Sequence, residues 1–280
     1  MATSGEALPR KWVDAHIHLD LYEEQERLPL LNRAFHQDRI AAVVAVSMHL
    51  GSSRVNRELA RRFAGRILPA YGFHPEQELP AGEELDQLFG WIKERFHAGE
   101  PFAIGEVGLP YYSRKAAEEA GERFDEAPYL ALLERFAVLA AELDRPIVLH
   151  AVYEDADKAC GLLERHGVKH AHFHWFKGSP ATVQRMIARG YSISITPDVC
   201  YEEEIQELVR AYPLELMMTE TDGPWPFEGH FAGQVTQPGM VAEVAAAIAK
   251  LKGISLEAAE TQLLANAIRI YRLDEIALMG

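Results

Sequence analysis

With 280 residues, 48% of them hydrophobic and 25% charged, the chain has the composition of a folded, water-soluble protein. No apolar run reaches the length of a bilayer span, and only two cysteines, Cys160 and Cys200, occur, which excludes a disulfide framework and points to a reducing, cytoplasmic setting. A net charge of −14 without a basic block excludes a wide duplex nucleic-acid footprint and disfavours a membrane surface.

The opening MATSGEALPRKW lacks the basic and apolar regions of a secretory signal. The first strand is expected at 12–17, entering VDAHIHLD. Residues i and i+2 share a strand face, so His16 and His18 converge, with Val13, Ala15 and Ile17 alternating between them. Two core histidines or a pair of metal ligands would both produce this pattern. A helix follows at 26–37, a strand at 41–46, and a helix at 54–63 with Ser52 or Ser53 as its cap. The basic residues of RRFAGR read as that helix's solvated face.

The third strand, 67–73, runs into YGFHPE and His74. After a helix at 83–96, the strand at 102–106 ends in AIGEVGLPYY with Glu106. A helix at 128–143 leads to the strand at 146–150, RPIVLHA, which ends at His150. The helix at 155–165 stops at Gly167, and the strand at 170–174, KHAHFHWF, ends at His174. His172 shares that face but sits deeper and reads as a core residue. Ser179 and Pro180 offer a cap and a first-turn proline for a helix at 180–188, ended by Gly190. A strand at 191–195, a helix at 201–211 and a strand at 215–219 follow. The last runs into LMMTETDGPW, with Glu220 and Asp222. Helices at 238–251 and 255–271 close the chain.

Eight strand–helix units in this length predict a (β/α)8 barrel forming a single domain over residues 1–280, with a doubly wound open sheet as the alternative. Strand C-termini in such a barrel open on one face. His16, His18, His74, Glu106, His150, His174 and Asp222 are therefore expected at one rim. Buried there without a cation, they would be poorly compensated, and a pair of divalent cations would resolve that cost.

In this order, DAHIHLD, GFHP, IGEVGL, RPIVLH, FHWFKGS, TETDGPW and LLANAIRIY resemble the TatD-type metal-dependent hydrolases of the amidohydrolase superfamily. The resemblance covers nearly the whole chain and implies a binuclear site. His16 and His18 would hold one metal with Asp222, His150 and His174 the other, and Glu106 would bridge both. Imidazole with carboxylate suits Zn, Mn, Co or Ni, while carboxylate alone would tilt towards Mg. Two such ions can share a hydroxide and lower its pKa, and Asp222 is then placed to take a proton and return it to a leaving group. His74 reads as a substrate contact or as a histidine bracing the HPE turn. Trp175, Phe176 and Trp225 read as pocket walls, and Glu220 as a hydrogen-bonding support.

Two departures concern the substrate side. Pro110 stands in GLPYY where the family often has aspartate, and HAVYEDA lacks the arginine that commonly follows the fifth-strand histidine. Arg114, Lys115 and Lys177, all expected in strand-end loops, are the candidates to hold a phosphate instead. The expected activity is hydrolysis of a phosphoester in a small molecule or short nucleic acid, with Asp222 as general base. The alternatives are hydrolysis of a lactone, amide or ester on the same metals, and a non-catalytic metal-binding subunit.

Overall fold

The computed structural model describes residues 12–273; the opening stretch read above for a signal lies outside the described residues. Eight strands run in chain order: β1 Trp12–Ile17, β2 Ile40–Ala45, β3 Ile67–Tyr71, β4 Ala103–Gly108, β5 Ile147–His150, β6 Ala171–Phe173, β7 Ser192–Ile195 and β8 Met217–Thr219. Each pairs in parallel with the next, in the order β1 to β8. The ends of this sheet meet. Ile17 bridges Gly223, His18 N donates to the Gly223 carbonyl at 2.8 Å, and Asp222 N donates to the His16 carbonyl at 2.9 Å. That contact closes a (β/α)8 barrel and excludes the open doubly wound sheet.

The strands carry apolar residues on both faces because both are covered. Every residue of β2, IAAVVA, is buried. Inside the barrel, Val13, Ala15, Ala42, Val44, Ala70, Ala103, Val148 and Met218 share one cluster with Ala267, Ile270 and Tyr271 of the last helix. The helices are α1 Glu24–His36, α2 Leu50–Arg62, α3 Gly82–His97, α4 Tyr111–Glu119, α5 Ala127–Glu142, α6 Glu154–His166, α7 Pro180–Arg189, α8 Glu203–Ala211, α9 Val241–Lys252 and α10 Leu256–Tyr271. None of the described helices is long and apolar enough to cross a membrane.

Helix ends follow local chemistry where that chemistry is local. Ser179 accepts from Thr182 N with Pro180 in the first turn, and Gly167 and Gly190 end their helices in the left-handed conformation. The start of α2 differs from the expected one. The cap is His49, whose Nδ1 accepts from Ser52 N at 3.2 Å, while the Ser52 hydroxyl accepts from His49 N at 2.9 Å. Ser52 is therefore the third helical residue of a reciprocal capping box, and Ser53 lies inside the helix.

The segment after β4 also differs. Arg114 and Lys115 lie on helix α4 and not in an open loop. The first turn of α4 is capped from outside, by Glu76 of the β3–α3 connection. Tyr112 N donates to Glu76 Oε1 at 2.8 Å and Ser113 N to Glu76 Oε2 at 2.8 Å. A cap supplied from 36 residues earlier in the chain leaves no local signature in YYSRKAAEE.

Candidate metal centre

The groups meet where the strands end. The Nε2 atoms of His16 and His18 lie 3.4 Å apart. Glu106 Oε2 is 3.1 Å from His16 Nε2 and 3.2 Å from His18 Nε2, and Asp222 Oδ1 is 3.3 Å and 3.4 Å from the same two atoms. Four donors around one ion with bonds of about 2.1 Å stand roughly 3.4 Å apart in a tetrahedron. These separations are the edges of such a shell.

The second oxygen of Glu106 faces another group. Glu106 Oε1 is 3.0 Å from His150 Nδ1, 2.7 Å from His174 Nε2 and 3.4 Å from His74 Nε2. His150 Nδ1 and His174 Nε2 are 3.2 Å apart. One carboxylate thus presents an oxygen to each of two donor sets. Glu106 is wholly buried, and its placement depends on Gly105. A Cβ on Gly105 would lie 2.7 Å from the Val148 Cβ, so β4 approaches β5 this closely only with glycine there.

The donor set fits cations better than it fits itself. Glu106 Oε2 and Asp222 Oδ1, both in the first set, are buried and make no hydrogen bond. Burial opposes charge on His18, yet the Asp222 and Glu106 carboxylates outweigh it and hold its imidazolium up to about 9. Burial likewise opposes His150, which Glu106 and Glu76 raise to about 9. For His174, burial wins and lowers it to about 4. Burial works against the charge of Glu106 and Asp222 too, but the surrounding imidazoles hold both well below the usual carboxylate range.

Asp222 occupies a left-handed backbone position, with φ of 50°. Asp14 steadies it. Its carboxylate accepts from Thr221 N at 2.9 Å and Thr221 Oγ1 at 2.5 Å, and burial pushes it up to about 7. Asp14 escaped the sequence reading, although it shares the two-residue period of His16 and His18. Glu220 accepts from Trp175 N at 2.7 Å and from the Ser194 hydroxyl, while burial raises it to about 8. His172 is buried between Ser194 and Tyr271, as a core residue.

His74 does two things: its Nδ1 accepts from Glu76 N at 3.2 Å, bracing the HPE turn, and its Nε2 faces Glu106. Glu76, like Asp14, has no role in the sequence reading. Besides capping α4, its Oε1 lies 3.3 Å from His150 Nε2. Burial opposes its charge, but His150 and Ser113 hold it down at about 2.

The expected phosphate holders are elsewhere. The Arg114 guanidinium is buried against Asp155 at 2.8 Å, Glu154 at 3.2 Å and Glu118 at 3.3 Å. Four acidic groups, counting Glu126 at 3.4 Å, leave it no free charge to offer. Lys177 does not line the cavity over the centre; its carbonyl accepts from Tyr153 N at 2.6 Å. Trp175 and Trp225 do line that cavity, whereas Phe176 is fully buried against Phe173 in the core.

A profile of the family described as TatD related DNase matches residues 13–272. The chain belongs to the TatD family of metal-dependent hydrolases. It is 35% identical over 260 residues to an uncharacterized metal-dependent hydrolase of Haemophilus influenzae, covering 93% of this chain and 99% of that one. It is 29% identical over 266 residues to the human deoxyribonuclease TATDN3, covering 92% and 94%. A crystal structure of a TatD homologue from Escherichia coli superposes with a TM-score of 0.82 at 24% identity, over 95% of this chain and 99% of that one, and shows the same barrel fold.

Proposed function

We propose that this TatD-family chain is a binuclear hydrolase cleaving an ester bond in a small molecule or short nucleic acid. His16, His18, Asp222 and Glu106 Oε2 would hold one divalent cation; His150 Nδ1, His174 Nε2 and Glu106 Oε1 would hold the other. The observation that carries this reading is the division of Glu106, one oxygen to each donor set. Zn, Mn, Co, Ni or Mg are the candidates, with the imidazole share favouring the first four. Bound there, the pair would supply a water nucleophile acidified to near neutrality and polarise the scissile group.

The chain's own residues do the rest. Asp222 lines the cavity with one carboxylate oxygen in the donor set, placed to accept the attacking water's proton and return it to the leaving oxygen. His74, lining the same cavity, contacts the substrate and braces the turn before Glu76. His150 is oriented by Glu76, which faces the nitrogen turned away from the donor set. Deoxyribonuclease names among the relatives support a phosphoester; the cavity walls favour a second reading, a carboxylic ester. The free cysteines, Cys160 and Cys200, suit a cytoplasmic setting.

Metal stoichiometry tests the reading. Protein purified without chelator and loaded with Zn or Mn should plateau close to two ions per chain by elemental analysis. A plateau at one or none would remove the binuclear centre.

A further inference from the structure

The cavity over the metal centre encloses about 860 Å³, a volume suited to one small ligand. Its charged lining is acidic or imidazole: Glu76, Glu106 and Asp222 with His18, His74, His150 and His174. Among the described residues that line it there is no lysine or arginine. The cations on neighbouring α4 face away from this need. Arg114 is enclosed by acids, and Lys115 pairs with Glu118 at 3.2 Å and Glu154 at 3.4 Å. A nucleic-acid strand carries a charge at every link and is held by cations along its length. Here only the scissile group would find positive charge, at the metals.

Apart from Ser113, the rest of the lining is apolar, and three of its side chains are aromatic. Trp175 and Trp225 meet edge to face with centroids 6.0 Å apart, and Tyr112 stands 6.0 Å from the His150 ring. Leu21, Tyr112 and Trp225 are 53%, 52% and 58% exposed. All three border this cavity. Apolar surface left open at the mouth of a reactive cleft is surface for a substrate.

We propose that the cavity takes a small, uncharged carboxylic ester or lactone whose flat apolar body lies against Trp225 and Tyr112, and that an anionic group remote from the scissile bond weakens binding. The inference rests on the binuclear hydrolase reading and names its substrate class. In the step, the water oxygen bonds to the carbonyl carbon and the bond from that carbon to the leaving oxygen breaks. The proton that Asp222 takes from the water passes to the leaving oxygen. Ester and water thus become acid and alcohol.

A matched pair of esters isolates the remote charge: methyl 4-acetoxybenzoate and the 4-acetoxybenzoate anion, with thymidine 5′-(4-nitrophenyl phosphate) as the phosphodiester arm. Zn-loaded protein should hydrolyse the neutral ester with kcat/KM at least about tenfold above the anion, since a remote carboxylate would be desolvated in a cavity whose lining offers it no lysine or arginine. Trp225→Ala, a change at an exposed position, should raise KM for the neutral ester about fivefold with kcat held within about twofold, reflecting lost aromatic contact. Asp222→Asn should lower turnover of both esters by about 10²–10⁴-fold.

Equal or greater efficiency with the anion overturns the inference, as does an unchanged KM in Trp225→Ala. Asp222-dependent cleavage of the thymidine phosphodiester with efficiency above the neutral ester also overturns it, while leaving the binuclear hydrolase standing. No turnover of any arm by protein carrying two ions defeats the hydrolase reading itself and the inference with it, and ester turnover indifferent to Asp222→Asn overturns the proton transfer assigned to Asp222.

Discussion

Glu106 and Asp222 are both buried carboxylates at strand ends, yet their surroundings give them different work. Glu106 has an oxygen in each donor set, so Glu106→Gln should lose both metals, and activity with them. Asp222 has one oxygen in one set. Asp222→Asn keeps an oxygen donor and removes the base, so it should retain most metal while turnover falls by about 10²–10⁴-fold. Metal content and rate measured on the same reconstituted samples separate the two, and a metal-loaded, fully active Asp222→Asn would move the base to another residue. His18 supplies a pH prediction for the metal-free protein. Its imidazolium is held at about 9 against an ordinary 6.5. A group bound more tightly to its proton when folded stabilises fully below the unfolded pKa, and that contribution fades as pH rises through the folded one. The melting temperature of chelated protein should therefore fall between about pH 6.5 and 9, more steeply than in His18→Gln. Equal slopes in the two would show that His18 is not held this way. The gathering of these residues at one rim was legible because each follows an apolar run and because His16 and His18 obey the strand period. Asp14 and Glu76 were not, since their partners, Thr221 and Ser113, lie far along the chain. Arg114 was read as free because nothing in its own segment shows Asp155, its buried partner, or Glu154 and Glu126.

Among the elements, α4 depends most on something outside itself. Its nine residues are too few for a stable isolated helix, and its first turn is satisfied by Glu76. The same carboxylate faces His150, so the helix that carries Tyr112 into the cavity is tied to a proposed metal ligand. Glu76→Ala should cost about 0.5–2 kcal/mol of local stability, the range for loss of a helix cap, and should weaken metal binding about tenfold or more through loss of the support behind His150. Hydrogen exchange read segment by segment is the direct test. Amides of α4 should exchange faster while those of α7, which carries its own Ser179 cap, stay protected. Unaltered protection in α4 would mean the helix holds without Glu76. Where cap and stop are local, as at Ser179, Gly167 and Gly190, helix ends were legible. At α4 and at His49 they depended on a distant side chain or on an unusual cap, and pattern reading placed the boundary late or missed the helix.

At the scale of the molecule, the barrel order was legible from the alternation of strands and helices, because a parallel barrel repeats one pattern and buries every strand. The closure between β1 and β8 is where fold and site coincide: the backbone bonds joining His16 and His18 to Asp222 and Gly223 also set three proposed ligands side by side. The two donor sets together draw on β1, β4 and β5 and on residues just after β1, β6 and β8. Cations bound there would cross-link strands from around the ring, and they would do so only in the folded chain. Their removal should therefore destabilise the barrel as a unit, and not merely loosen one loop. Ligand bound to the native state alone contributes about 4 kcal/mol at a thousandfold excess over its dissociation constant. For a domain of this size that corresponds to a melting temperature about 10 °C higher. Calorimetry of Zn-loaded and chelator-treated protein at one pH should show a single transition displaced by about that amount. Coincident transitions would mean that the strand ends hold together without ions, and that the buried carboxylates and imidazoles compensate one another unaided.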